Sequence, residues 1–136
     1  MLVYARCGAS HLVLAHGRES PSDGEWDAYL NDLERWGPEI VGTLIVTEGG
    51  GPTGAQRRLL KERLQKGGIT FRTAVLSESL LVRGIVITLN MFDSNIRAFH
   101  PDAIDAALTY VRAALHGPTL LAEVKLLRMR LGVVEP

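Results

Sequence analysis

Four glycines, a proline and a threonine stand together at Gly49-Gly50-Gly51-Pro52-Thr53-Gly54, the first place in the chain where binding chemistry could be housed. Gly49, Gly51 and Gly54 fit the spacing G-x-G-x-x-G, which in dinucleotide-binding proteins presents bare backbone N–H groups at a helix start to a pyrophosphate. Glu78 would then imitate the acidic contact to a ribose. Against this, the motif follows the third strand and the chain is short for a full dinucleotide fold. A plain glycine-rich turn is the other reading. The stretch also has P-loop spacing, but Ala55-Gln56 stands where Lys-Ser/Thr should neutralise phosphate, which disfavours ATP or GTP hydrolysis. Arg57 and Arg58 follow directly, so the corner is a candidate surface for a partner or an anion.

Other chemistry is thinner. No G-x-S-x-G nucleophile elbow occurs. Cys7 could pair with His11 or His16 only if their side chains on adjacent strands faced each other, and a buried thiol is commoner. His100, before Pro101, reads as a residue at a helix start rather than a general base. Neither C-x-x-C nor H-E-x-x-H is present, so no metal is expected. Arg83 sits amid apolar residues and needs a carboxylate, a route to solvent or a bound anion. No catalytic residue and no cofactor is assigned.

Composition narrows the classes. The 136 residues carry 15 basic and 15 acidic side chains, a formal net charge of zero, where a nucleic-acid binder shows a basic excess. Apolar and charged fractions of 46% and 22% are those of a globular domain. One cysteine allows no internal disulfide. The leading MLVYARCG lacks the features of a secretion signal, and the apolar stretch from Leu80 to Phe92 is interrupted by Arg83-Gly84 and too short to span a bilayer. A cytoplasmic location is expected.

The elements that must position these residues follow from periodicity and punctuation. Leu2 to Arg6 and Leu12 to Ala15 read as an antiparallel hairpin. Ser22 and Glu25 have capping-box spacing before a helix carrying Trp26, Tyr29, Leu30, Leu33 and Trp36 on one stripe, closed by Gly37-Pro38. Val41 to Thr47 is a central strand. Thr53 and Gln56 cap a second helix, 55–66, with Leu59, Leu60 and Leu64 inward, a basic remainder and a stop at Gly67-Gly68. Thr70 to Leu76 is a strand, and Ser77 or Ser79 caps a third helix, LLVRGIVITLNMF, apolar nearly all round and so covered by sheet or partner. After a short strand, Ile96 to Phe99, Pro101 opens a fourth helix with Ile104, Ala107, Leu108, Val111 and Leu115 on one face, ended by Gly117-Pro118. A fifth helix, 119–131, carries a seam of Leu120, Val124, Leu127 and Leu131 through which a homodimer could form. The whole is one α/β domain, a mixed and mostly parallel sheet of about five strands with helices against it. Ligands and partners are expected at the carboxyl ends of its strands, near Thr47 to Gly54, Ser77 to Ser79 and Phe99 to His100.

This order, with the stretches GTLIVTEGGGPTGAQR (Gly42 to Arg57) and LVRGIVITLNMFDSNIRAF (Leu81 to Phe99), resembles the STAS domain, in particular the short SpoIIAA-like (STAS/SEC14-like) proteins. The resemblance covers roughly residues 2–115 and leaves the fifth helix as an addition. It implies a non-enzymatic signalling or scaffold module that binds a protein through the glycine loop and second helix. In the antagonists of this family a serine before glycine, at the start of the helix after the central strand, is phosphorylated. Thr53-Gly54 takes that place here, with the family's Asp-Ser-Ser-Gly replaced by Gly51-Pro52-Thr53-Gly54. The alternative is a small-ligand binder or enzyme holding a nucleotide, phosphate or lipid headgroup at the same loop.

Overall fold

Residues 1–90 and 95–132 are described by the computed structural model. The amino-terminal runs form the expected hairpin, β1 (Leu2–Cys7) against β2 (His11–His16), with Leu2 opposite His16 and Cys7 opposite His11. The turn passes through Gly8 at φ +61°, a left-handed conformation that favours glycine. Strands β3 (Gly42–Thr47), β4 (Arg72–Leu76) and β5 (Ile96–Phe99) then add in parallel, giving the order β1-β2-β3-β4-β5.

Three helices make the crossovers: α1 (Asp23–Trp36), α2 (Gly54–Gly67) and α3 (Leu80–Asn90). Because the parallel strands are laid down in one direction, right-handed crossovers leave all three helices on one face. The other face is covered by α4 (Ile104–Tyr110) and α5 (Gly117–Arg130). Alternation along the strands divides the core accordingly. Val13, Leu44, Ala74 and Leu76 pack with Leu108, Val111, Leu120 and Leu127, while Leu12 and Leu14 pack with Trp26, Leu30 and Leu33.

The helix starts follow their caps. Ser22 accepts from the Glu25 N–H and Thr53 from the Gln56 N–H, both as complete capping boxes. Ser79 is the third cap, its hydroxyl accepting from the Val82 N–H at 3.2 Å. Gly37 and Gly68 close α1 and α2 at positive φ.

Several expectations need correction. Leu59 points to solvent, and the inward residue of α2 is the polar Gln56, because α2 packs chiefly on α1. Only Leu60 and Leu64 of its leucines reach the core. The fourth helix ends at Tyr110, where Arg112 turns into positive φ, so Leu115 lies beyond it and is 94% exposed. Gly117-Pro118 begins α5 rather than ending α4, since a first-turn proline has no N–H to lose. The stripe read as a dimer seam faces inward: Leu120 and Leu127 are buried and Val124 and Leu131 pack on the same cluster, which spends that face on β1 and β2. The fifth helix is thus part of the core. The sheet covers α3 only in part, with Val86 buried but Leu80, Leu81 and Ile87 exposed. Met91 and Phe92 lie outside the described residues.

Gly42 shows how closely α4 approaches the sheet. A Cβ there would stand 2.3 Å from the Val111 carbonyl oxygen and 2.8 Å from its Cβ. Gly42→Ala is expected to destabilise by about 1–3 kcal/mol in urea denaturation, whereas Gly24→Ala, whose nearest atom is 4.0 Å away, should not destabilise.

Candidate functional site

The corner between β3 and α2 is built from one buried glutamine outward. Gln56 Oε1 accepts from the Thr53 N–H at 2.9 Å, and its Nε2 donates to the Pro21 carbonyl at 2.8 Å and to Asp23 Oδ1 at 3.1 Å. Its own carbonyl accepts from the Trp26 indole at 2.9 Å. The starts of α1 and α2 are therefore tied together. Further along, Arg63 of α2 reaches Glu34 and Asn31 of α1, so part of the basic face bridges two helices.

The glycine loop is fixed from within. Thr47 donates to the Gly50 carbonyl at 2.6 Å and accepts from the Gly49 N–H at 3.0 Å, while the Gly50 N–H donates to the Gly17 carbonyl at 2.9 Å. Gly49, at φ +124°, takes a backbone conformation that favours glycine. At Gly50 a Cβ would lie 2.3 Å from the Glu19 carbonyl oxygen. Gly50 thus serves the close approach of two chain segments, and Gly49 the turn that leads into it. The amides of Gly49, Gly50 and Thr53 are engaged internally, so those groups do not form a phosphate cradle. Arg57 folds back to donate to the Pro52 carbonyl at 2.9 Å, and Thr53 and Arg58 face solvent.

Behind this corner lies a cavity of about 450 Å³ between the sheet and the helices α1, α2 and α3. Its middle is apolar, walled by Leu14, Ile45 and Val75 of the sheet and by Leu60, Val82 and Val86 of the helices. Gly49, Gly50, Gly51, Pro52 and Arg57 line one end with His16, Arg18 and Thr47. Thr43, Thr73 and Asn95 line the strand-start end. No carboxylate is among the described residues that line it.

Two of the lining groups are unusual. The Nδ1 of His16 and the hydroxyl of Thr43 are buried without a hydrogen-bond partner among the described residues, and these side chains belong to residues only 2% and 1% exposed. Burial lowers the His16 pKa to about 4, the amino-terminal charge adds to that effect, and Glu25 opposes it. The imidazole is therefore neutral at pH 7, able to donate or accept according to its tautomer.

The remaining candidates are placed elsewhere. Ser77 and Ser79 border a second hollow, of about 670 Å³, with Glu48, Glu78 and Arg128 around it. Ser77 accepts from the Ser79 N–H at 3.1 Å, so both serines shape the start of α3. Arg83 and Arg58 line neither hollow. Cys7 does lie opposite His11, but that ring is occupied by Ser10 and by the Val111 carbonyl, each at 2.8 Å, and burial pushes the thiol pKa up. That environment disfavours a reactive thiolate. Among the described residues no group of three or more His, Cys, Asp or Glu is placed to hold a metal, and no helix is long and apolar enough to cross a membrane.

Sequence reasoning singled out His16 only as a possible partner of Cys7, and it missed Thr43. The signal was present for the first: His16 continues the alternation Leu12, Leu14, His16, and so had to point into the same layer. Compared with protein-family models, curated proteins and solved structures, the chain matches none.

His16 carries a pH prediction. Its folded pKa of about 4 lies below its ordinary value of 6.5, so the unfolded chain binds the extra proton between those limits. Stability from this group is complete above pH 6.5 and declines as pH falls towards 4, by up to about 3 kcal/mol. Urea denaturation at pH 7 and pH 4.5 is expected to show that loss in the wild type and a much smaller one in His16→Gln.

Proposed function

We propose that this chain binds a small, largely apolar molecule between its sheet and the helices α2 and α3, and acts as a carrier or sensor without chemistry of its own. The observation that carries this reading is the cavity of about 450 Å³ with an apolar middle and two buried polar groups lacking partners among the described residues. Small-molecule sites generally take that form, an apolar hollow of a few hundred Å³ with a few placed polar groups. The glycine corner enters as the wall of one end. Since its amides are largely engaged, side chains such as Arg57 and Arg18 would supply any charge a ligand meets there. Kinship with STAS-like proteins remains part of the proposal, supported by the hairpin and the strand–helix repeats that follow it.

A medium-chain alcohol such as decanol at about a hundredfold its Kd should stabilise the fold by about 2.7 kcal/mol, read by thermal shift. Ile45→Trp, which fills the middle of the cavity, should fold and lose that response. No stabilisation of the wild type, or an equal response in Ile45→Trp, would remove the reading.

A second reading, a signalling or scaffold module that binds a protein at the same corner, is supported by the exposure of Thr53 and Arg58, which face solvent. On that reading Arg58→Glu should weaken a complex isolated from the native cell while leaving ligand uptake unchanged. Loss of both, or of neither, would count against two separate surfaces.

A further inference from the structure

The walls of the cavity are zoned along the strands. On β3, Thr43, Ile45 and Thr47 face it in succession, and on β4, Thr73 and Val75 do the same. Register places Thr73 beside Thr43 and His16 beside Thr47. A polar end, an apolar middle and a second polar end therefore follow one another. Thr43 and Thr47 are four residues apart on one strand, which separates the two polar ends by about 13 Å. The ends differ in charge. At the Thr47 end stand Arg18, Arg57 and His16, whose Nδ1 is buried without a partner among the described residues, with no carboxylate among the described lining residues. Among the described lining residues the Thr43 end offers neutral groups only: Thr43, whose hydroxyl is buried without a partner among them, Thr73 and Asn95.

We infer that the ligand is two-ended: an elongated apolar chain with a carboxylate at the Arg18–Arg57–His16 end and a neutral hydroxyl or carbonyl at the Thr43 end. The inference rests on the cavity being a ligand site and adds what the ligand must be. A hydrocarbon would leave both buried polar groups unsatisfied. A one-headed fatty acid would satisfy His16 and the guanidinium end but leave the Thr43 hydroxyl without a partner, a recurrent penalty in buried sites. A terminal hydroxyl fits Thr43 either way, because each hydroxyl can donate or accept.

Titration calorimetry with decanol, decanoate and ω-hydroxydecanoate tests this on the full chain. In the wild type ω-hydroxydecanoate should bind about tenfold tighter than decanoate, the size of one well-made buried hydrogen bond. That advantage should vanish in Thr43→Val and persist in Thr43→Ser, which keeps the hydroxyl. Thermal unfolding should find Thr43→Val no less stable than the wild type when unliganded, since it removes a buried hydroxyl with no partner. Arg57→Ala should weaken both acids and leave decanol unchanged. Equal binding of the two acids by the wild type would overturn the two-ended ligand, while decanol binding that Ile45→Trp abolishes would leave the cavity reading standing. Binding of none of the three would remove both.

Discussion

A buried amide group holds the corner between β3 and α2 in place. Gln56 is 2% exposed, and its side chain satisfies the Thr53 N–H, the Pro21 carbonyl and the Asp23 carboxylate while its backbone carbonyl takes the Trp26 indole. Such a network is stabilising only when every member is paired, and here each partner is at hydrogen-bonding distance. It joins the amino ends of two helices that are sequential in the chain and adjacent in space. The glycine loop hangs between this knot and the backbone of Gly17 to Glu19, braced at both sides.

That fastening explains why there is a cavity. A helix that crosses between parallel strands ordinarily lays its apolar stripe on the sheet. In α2 the inward residue is instead polar and is spent on α1, and Arg63 holds its carboxyl half to α1 as well. Leu60 and Leu64 are half-buried as a result. The face of β3 and β4 beneath them is left with Ile45, Val75 and the threonines Thr43 and Thr73, and α3 closes the far side against β5. Strands laid down in one direction provide no reversal of order, so the site is not the crevice that such a reversal opens between neighbouring crossovers. It lies between layers, running along the strands.

Local patterns made much of this legible in the sequence. The capping boxes Ser22–Glu25 and Thr53–Gln56, the apolar run of β3, and the glycine stops after α1 and α2 are decided by residues within a few positions of one another, and they appear where the chain writes them. What was not legible depends on contacts between distant residues. Gln56 reads as one half of a capping box, and nothing in its neighbourhood announces Pro21, Asp23 and Trp26. Leu59 fits an apolar helical stripe, but the stripe is overridden because α2 turns a different side inward. The fourth and fifth helices were misdivided because Gly-Pro marks an end and a beginning equally well, and the actual stop is a positive φ at Arg112, a residue with no turn signature. The loop glycines were legible as a turn, but not what Gly50 does in it, which is to let two backbones touch, because Gly17 and Glu19 lie some thirty residues away.

The same contrast bears on what the polar groups under α2 and α3 are for. On a sheet face buried against helices, valine would match threonine in shape and avoid burying a hydroxyl, and a leucine in place of His16 would avoid the acid-labile imidazole. Stability alone therefore accounts for neither Thr43 nor His16. Nor does satisfaction within the fold, because other buried polar side chains of this chain, His11 and Gln56, have identifiable partners. Places where sequence violates the local rule without internal compensation tend to be functional. Here two such places lie on the walls of one hollow, separated by apolar surface and facing ends of different charge. A molecule with matching ends would supply the missing bonds and fill the volume together, so its binding would offset both departures at once.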